Sequence, residues 1–191
     1  GTFEHQGLRF DAGATLLAGF DEEGVFTRLE RSLDIAFPVR RLLPGEALME
    51  VWLPGGQVVV RPVGRTYERQ AQQAAFGQEV QGFWRWQEKR ALALWKLAQG
   101  LPFPPASAEE WFRLAKHGLP WALEQRADLL GLLADLVRPT LVHAPAHRGF
   151  RRFLDAQLLI ASQADARRTY ALFGAAALDL PQLLLQVARV T

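Results

Sequence analysis

The chain has 191 residues, of which 49% are apolar, and a formal net charge of only +2. This composition excludes wholesale disorder, and so small a net charge does not favour a nucleic-acid partner. The sequence contains no cysteine, which excludes disulfides, thiolate catalysis and cysteine-based zinc sites. The absence of cysteine suits a cytoplasmic origin. No apolar run reaches the roughly 18 residues that a membrane-spanning helix needs, so a soluble protein is expected, with surface binding to a membrane still open.

The first third of the chain favours short strands. Gly7–Phe10 is the first predicted strand. Asp21 has the features of a helix N-cap, and the apolar residues that follow it have helical spacing. Two apolar, β-branched runs, Leu48–Leu53 and Gln57–Arg61, flank Pro54–Gly56. This arrangement predicts a β-hairpin with its turn at the proline and glycines.

From residue 66 onward the pattern becomes helical. Thr66–Gln99 is long and amphipathic, and its glycines, Gly77 and Gly82, are predicted to bend or split the helix. The segment Gly100–Ala106 contains three prolines, which remove backbone donors and restrict the residues before them, so it is predicted to be a linker. Ser107 then begins a capping-box pattern for the next helix.

The last third of the chain predicts three further helices. Pro120 is expected to open a helix over about Trp121–Val137 because proline is well tolerated at a first helical position. Arg148–Ser162 is a strongly amphipathic segment that predicts another helix. A third helix is predicted over Ala166–Leu178, ending before Pro181.

Strands therefore come first and helices follow, which predicts an α+β fold class. We expect a small, mostly antiparallel sheet or hairpin with a large helical insert. Residues 1–65 are predicted to form the strand-rich segment and residues 66–191 a helical cap subdomain. This order of elements differs from the alternating pattern of a complete βαβ dinucleotide-binding domain.

Two segments carry a resemblance to a known family. They are GLRFDAGAT, residues 7–15, and FRRFLDAQLLIASQADARRTYALFGAAALDLP, residues 150–181. Together, at this separation, they resemble the carotenoid (phytoene) desaturase and carotenoid isomerase branch of the flavin-containing amine oxidase superfamily. The resemblance covers most of the chain, although residues 67–142 match in helical character more than in motif.

The resemblance implies an FAD-dependent oxidoreductase that desaturates or isomerises a carotenoid-like or other apolar substrate. Family members hold FAD in a Rossmann-like half, whereas no G-x-G-x-x-G motif occurs in this sequence. The only methionine is Met49, and the first residues do not resemble a natural start. We therefore expect an internal portion that supplies the substrate side, binds no FAD by itself and is inactive alone.

The same resemblance suggests two groups of site residues. Gly13, Ala14 and Thr15 are predicted to approach the flavin, and the alternative is a strand end followed by a turn. Phe153, Gln157 and Leu158 are predicted to face the substrate. Alternatively, the side chain of Gln157 would form a hydrogen bond with a backbone group. No catalytic side chain is expected, since the flavin would carry the chemistry.

The aromatic residues of the helical part are open to two interpretations. They would either line a long apolar cavity or pack into an ordinary core. The residues concerned are Phe83, Trp84, Trp86, Trp95, Trp111, Phe112 and Trp121.

No metal site is predicted. Pro145 lies between His143 and His147 and prevents the helical spacing that would place the two imidazoles side by side, and no third ligand is evident. The expected partner is an apolar small molecule rather than nucleic acid. An exposed apolar surface would also favour homo-oligomers.

Basic residues at the start of the helix over 148–162 have two explanations. Arg148, Arg151 and Arg152 would either be a solvated helix start or contact anionic lipid headgroups, which would make the protein peripheral to a membrane. A different interpretation of the whole chain also stays open. In it the chain is a non-catalytic helical module that binds an apolar ligand, a membrane surface or a protein partner.

Overall fold

The computed structural model describes residues 2–6, 8–11, 25–37, 39–98, 107–183 and 188–190. Over these residues the chain is mostly helical, with short strands that pair two by two. The predicted α+β class, with a small antiparallel sheet and a large helical part, is confirmed.

One strand pair lies at the beginning of the chain, and a second joins residues 39–41 to residues near the other end. β1 (Thr2–His5) pairs antiparallel with β2 (Leu8–Asp11), so the strand predicted over residues 7–10 is displaced by one residue. β3 (Val39–Arg41) pairs antiparallel with β6 (Ala188–Val190). The sequence did not predict β6, because three residues are too short a run to show the alternation of a strand.

The predicted hairpin is confirmed. β4 (Ala47–Trp52) and β5 (Val58–Pro62) are hydrogen-bonded neighbours. At the turn, the Leu53 N–H donates to the Gln57 carbonyl at 2.8 Å. Gly55 and Gly56 have φ of +99° and +82°, a region that other residues rarely adopt.

A glycine divides the long helical segment that follows the hairpin. After the short helix α1 (Val25–Leu33), the chain forms α2 (Arg65–Phe76), a 3₁₀ turn and α3 (Gln81–Ala98). Gly77 has φ of +83° and lies between α2 and the turn. The predicted interruption is therefore confirmed at Gly77, whereas the second glycine of the segment lies inside α3.

The next helices differ from their predicted bounds. α4 (Ala108–Glu124) begins at the predicted cap, where the Ser107 Oγ accepts a hydrogen bond from the Glu110 N–H at 3.2 Å. α5 (Leu129–Asp135) is a separate short helix. The single helix predicted over residues 121–137 is therefore wrong.

Two prolines that were expected to mark helix ends lie inside helices. Pro120 is in α4, and Pro181 is in α7 (Ala171–Leu183). The φ of proline is compatible with a helix, and its main cost inside one is the loss of a backbone hydrogen bond and a clash with the preceding turn. Tertiary contacts can outweigh this cost. One such contact follows Pro120 directly, because the Trp121 Nε1–H donates to the Ala93 carbonyl of α3 at 2.8 Å.

α6 (Arg148–Ser162) has the predicted bounds, but α7 begins later than expected. Residues 166–168 form a turn instead of the first turn of a helix. The Asp165 Oδ1 accepts hydrogen bonds from the N–H groups of Arg167 and Arg168, each at 3.0 Å. Asp165 therefore caps a turn, and the helix start predicted at residue 166 is wrong.

The described contacts divide the chain into two compact units. The first comprises residues 1–50, 60–71 and 180–191, and the second comprises residues 51–59 and 72–179. These units interleave along the sequence, and the predicted domains 1–65 and 66–191 stay a prediction. The first unit contains a buried ion pair between Arg61 and Glu68.

The second unit has the larger apolar core. Its centre is formed by residues of α3, α6 and α7, together with the end of α2. In the described part of the chain, no helix is both long enough and apolar enough to cross a membrane. The core side chains of this unit include Phe76, Val80, Phe83, Trp84, Phe150, Phe153, Leu154, Leu158 and Leu178.

Candidate functional site

The apolar face of α6 is the centre of the second unit. Phe150, Phe153, Leu154 and Leu158 are fully buried on this face. The ring of Phe76, from the end of α2, lies 5.5 Å from that of Phe150 and 5.3 Å from that of Phe153, measured between centroids. These are tilted and edge-to-face contacts, the arrangements that aromatic rings prefer.

The structure brings together the three residues predicted to face a substrate. Phe153, Gln157 and Leu158 share the buried face of α6. The Gln157 Nε2 donates to the carbonyl of Phe153 at 3.4 Å, one turn earlier in the same helix. A buried amide needs such a partner, so the alternative interpretation of Gln157 describes this contact.

The residues predicted to approach a flavin have a different outcome. Gly13, Ala14 and Thr15 lie outside the described residues. The linker predicted over residues 100–106 also lies outside them. Both assignments stay predictions.

A buried cluster of charges joins α3 to α5, and the sequence analysis did not find it. Arg90 of α3 donates from Nε to Asp135 Oδ2 at 2.6 Å. It also forms an ion pair with Asp128, the residue before α5, and its Nη2 lies 3.3 Å from Asp128 Oδ1. The exposed Lys89 is a second partner of Asp128, at 2.6 Å.

Asp135 is the best-shielded member of this charge cluster. It is 1% exposed, and both of its oxygens have partners. Trp86 Nε1 donates to Oδ2 at 3.1 Å, and His143 Nε2 lies 2.8 Å from Oδ1. The indole of Trp86 and the imidazole of His143 are stacked, with centroids 3.9 Å apart and planes within 14° of each other.

These contacts shift the pKa values of the charged groups. Burial alone raises the pKa of Asp135, but hydrogen bonds from Arg90, Trp86 and His143 outweigh it and hold that pKa below 3.8. The hydrogen bond from Arg90 lowers the pKa of Asp128. Burial lowers the pKa of Arg90, and its bonds to the two carboxylates more than offset this, so the net shift is upward.

The charge cluster can therefore hold an ionised carboxylate and an oriented imidazole. Because the carboxylate accepts, His143 Nε2 carries a proton. The pair fixes the 3₁₀ turn Thr140–His143 against α3 and α5. Sequence spacing offered little signal for this cluster, since 45 residues separate Arg90 from Asp135.

A glycine makes the approach of Arg90 to Asp128 feasible. A Cβ at Gly131 would lie 2.6 Å from Arg90 Nη2 and 2.6 Å from Asp128 Oδ1, closer than real Cβ contacts. Any side chain at this position of α5 would therefore force the ends of the Arg90 and Asp128 side chains to shift.

The two histidines considered as metal ligands have separate structural roles. His143 pairs with Asp135, and His147 caps α6, where its Nδ1 accepts from the Phe150 N–H at 3.1 Å. Among the described residues, no group of three or more His, Asp or Glu side chains is arranged to hold a metal ion.

Four of the seven aromatic residues of the helical part fall into two groups, whereas Trp86, Trp95 and Trp121 are half-buried. Phe83 and Trp84 are buried in the core. By contrast, Trp111 is 60% exposed and Phe112 is 70% exposed on α4. Core packing therefore accounts for the first group only.

Comparison of the chain with protein-family models, curated proteins and solved structures finds no match. Support for a function comes from the residues and the contacts described above.

Proposed function

We propose that the chain is the substrate-binding portion of an FAD-dependent oxidoreductase that desaturates or isomerises a carotenoid-like or other apolar molecule. The observation that carries this proposal is the segment over residues 150–181, which resembles the carotenoid desaturase and isomerase family. In the fold, this segment contributes α6 and its fully buried apolar face. An elongated apolar substrate needs an apolar wall, and the proposal requires this buried face of α6 to open to the substrate.

The described residues do not fit FAD by themselves. A dinucleotide site needs backbone N–H groups at a glycine-rich turn that opens a helix. The glycine pair at Gly55 and Gly56 instead forms the turn of the β4–β5 hairpin. We therefore assign the flavin to a Rossmann-like half, with Gly13, Ala14 and Thr15 contributing a close backbone approach to it.

We assign the substrate to the face of α6 that carries Phe153, Gln157 and Leu158. The role of these residues would be to position an apolar chain and to exclude water. FAD, when bound, would supply the oxidation and reduction chemistry. No acid or base from this chain is required by that role.

The proposal also includes a location and partners. We propose a cytoplasmic protein whose ligand is an apolar small molecule and that does not bind nucleic acid. Self-association through exposed apolar side chains is part of the same proposal.

The first test is the visible absorption spectrum of the protein purified from its complete reading frame. Bound flavin bands, absent from the 191-residue chain, would support the proposal. Gly13→Val should abolish flavin uptake because a branched side chain would block the close approach. Gly82→Val is the matched control, since a Cβ there meets nothing within 4 Å. A flavin-free protein, or normal flavin content in Gly13→Val, would overturn the assignment.

A second test addresses the substrate face alone. Gln157→Leu keeps the size of the side chain and removes its amide, and Gln73→Leu makes the same change at an exposed position of α2. If Gln157 lines the substrate site, only Gln157→Leu should change polyene binding, measured by quenching of tryptophan fluorescence, at unchanged flavin content. Identical polyene binding in both variants would exclude Gln157 from the substrate site.

A non-catalytic helical module is the second candidate function. It is favoured by the exposed apolar side chains of α4, which include Trp111, Phe112, Leu119 and Leu123. The DNA on either side of the coding sequence separates the two candidates. An adjoining G-x-G-x-x-G in the same frame supports the enzyme, and an independent start with an upstream stop codon supports the module.

A further inference from the structure

Two segments of the second unit run side by side at the entry to α7. The Ala171 N–H donates to the Arg138 carbonyl at 2.7 Å, and the Thr140 N–H donates to the Thr169 carbonyl at 2.8 Å. Between these bonds, Pro139 is bridged to Tyr170 in an antiparallel arrangement. The segment that follows α5 is therefore fixed beside the segment that precedes α7.

Buried threonines anchor this pair of segments from the inside. Thr140 and Thr169 are buried, and the Thr140 Oγ1 donates to the Thr169 carbonyl at 2.9 Å. By contrast, Arg138, Arg167 and Arg168 are exposed. The backbone pairing thus brings the chain positions of three exposed arginines close together.

The positive charge of this region is in excess. Within the described part of the chain, none of the side chains of Arg138, Arg167 and Arg168 forms an ion pair. Asp165 caps the turn that carries two of the arginines, and Asp155 accepts from the Ala166 N–H at 2.9 Å. Both carboxylates keep their charge, so the three arginines exceed them by one positive charge.

Exposed apolar residues are close to these arginines in sequence. Val137, beside Arg138, is 73% exposed. Tyr170 and Phe173, three residues apart at the start of α7, are 59% and 54% exposed. The combined region is called the α7 entry surface and consists of Val137, Arg138, Arg167, Arg168, Tyr170 and Phe173.

We propose that the α7 entry surface docks on an anionic phospholipid membrane. Arginine heads are attracted to the negative potential of such a surface, while tyrosine, phenylalanine and valine side chains partition into the boundary between headgroups and acyl chains. Both components are exposed at neighbouring positions of the chain here. This inference goes beyond the proposed redox function and does not depend on a flavin.

The exposed face of α4 lacks this combination. Its apolar residues stand among charges of both signs, since Glu109 forms an ion pair with Arg113 and Glu124 forms one with Lys96. Of these two surfaces, the α7 entry surface is therefore the one whose excess of positive charge favours an anionic bilayer.

The test uses the 191-residue chain and co-sedimentation with vesicles of phosphatidylcholine, with and without phosphatidylserine. The variant Arg138→Gln/Arg167→Gln/Arg168→Gln should bind the anionic vesicles about a hundredfold more weakly, from about fivefold for each arginine. The control variant Arg85→Gln/Arg113→Gln/Arg126→Gln removes the same charge from exposed positions elsewhere and should bind normally. Circular dichroism verifies that both variants keep their helices.

A third variant, Tyr170→Ser/Phe173→Ser, separates the apolar component. The loss of vesicle binding in this variant should persist at high salt. The loss of binding in the arginine variant should become smaller, because salt screens the charge of the arginines in the parent protein. The inference is overturned if the chain does not bind phosphatidylserine vesicles, or if both triple variants lose binding equally. Binding to RNA without binding to vesicles would also overturn it and would point to a polyanion instead.

Discussion

α6 and α4 are two amphipathic helices of similar length in the same unit, with 15 and 17 residues, yet they pack differently. The apolar face of α6 is fully buried around Phe150 and Phe153, while α4 leaves Trp111 and Phe112 mostly exposed. The helical periodicity of a sequence therefore predicts which face is apolar, but the contacts of the neighbouring elements decide whether that face is buried.

The links from α3 to its neighbours show the same contrast. α3 contacts α5 through the buried pair of Arg90 and Asp135. It contacts α4 through the exposed pair of Lys96 and Glu124, and through the hydrogen bond of the Trp121 indole. Buried polar contacts are costly to break, whereas exposed ion pairs contribute little, so α4 is expected to be held more weakly than α5.

The largest expected effect is in the core beneath α6. Phe153→Ala should lower the free energy of unfolding by about 3–5 kcal/mol, because it removes a fully buried ring and leaves a cavity. Phe112→Ala, on the exposed face of α4, should change it by no more than about 0.5 kcal/mol. Urea unfolding followed by circular dichroism measures both values. Equal losses in the two variants would show that the α4 face is covered.

The next effect concerns the links made by α3. Asp135→Ala should cost about 3 kcal/mol or more because it leaves Arg90 buried without its carboxylate. Lys96→Ala, which breaks the exposed pair with Glu124, should cost at most about 1 kcal/mol. Chemical denaturation again provides the measurement. A loss below 1 kcal/mol in Asp135→Ala would mean that the buried cluster does not stabilise the unit.

The same buried cluster predicts a dependence on acid. Folding lowers the pKa values of Asp128 and Asp135 below 3.8, so their contribution to stability is complete above that pH. This contribution is lost as the pH falls through the pKa values of the two carboxylates in the folded protein, because the same groups bind protons more readily in the unfolded chain. The free energy of unfolding should therefore decline more steeply in acid for the parent protein than for Asp135→Asn. Parallel pH curves would contradict this assignment.

The smallest effect compares the two helix caps. Ser107→Ala removes the hydrogen bond to the Glu110 N–H and should cost about 1 kcal/mol, detected as lost helicity of the weakly held α4. His147→Ala removes the corresponding bond to the Phe150 N–H, but the core contacts of α6 should preserve its helix content. If only His147→Ala loses helicity, α6 rather than α4 is the more weakly held helix.

The parts of the fold that the sequence predicted are those set by local signals. The hairpin followed from Gly55 and Gly56 between apolar runs, and the bounds of α6 followed from its strong amphipathic pattern. The break at Gly77 also has a local cause in its positive φ. Local chemistry and periodicity are sufficient for elements of this kind.

The remaining features depend on contacts between residues far apart in the chain. Pro120 was expected to open a helix but lies inside α4, next to a tryptophan that is bonded to α3. The cluster of Arg90, Asp135 and His143 was not predicted, because no short motif links its members. Phe153, Gln157 and Leu158 were correctly grouped on one face, while their relation to a substrate stays a proposal.

Gly131 has a consequence for the range of sequences that this fold tolerates. In a helix, alanine is ordinarily preferred to glycine by about 1 kcal/mol. At this position the preference should be inverted, since even a methyl group would overlap Arg90 and Asp128. In a saturation-mutagenesis library selected for folding, glycine should be retained at residue 131, whereas its neighbour Leu130, which is 83% exposed, should accept nearly any polar residue. This difference in tolerance between two adjacent residues would make the charge cluster detectable from the frequencies of the selected variants alone.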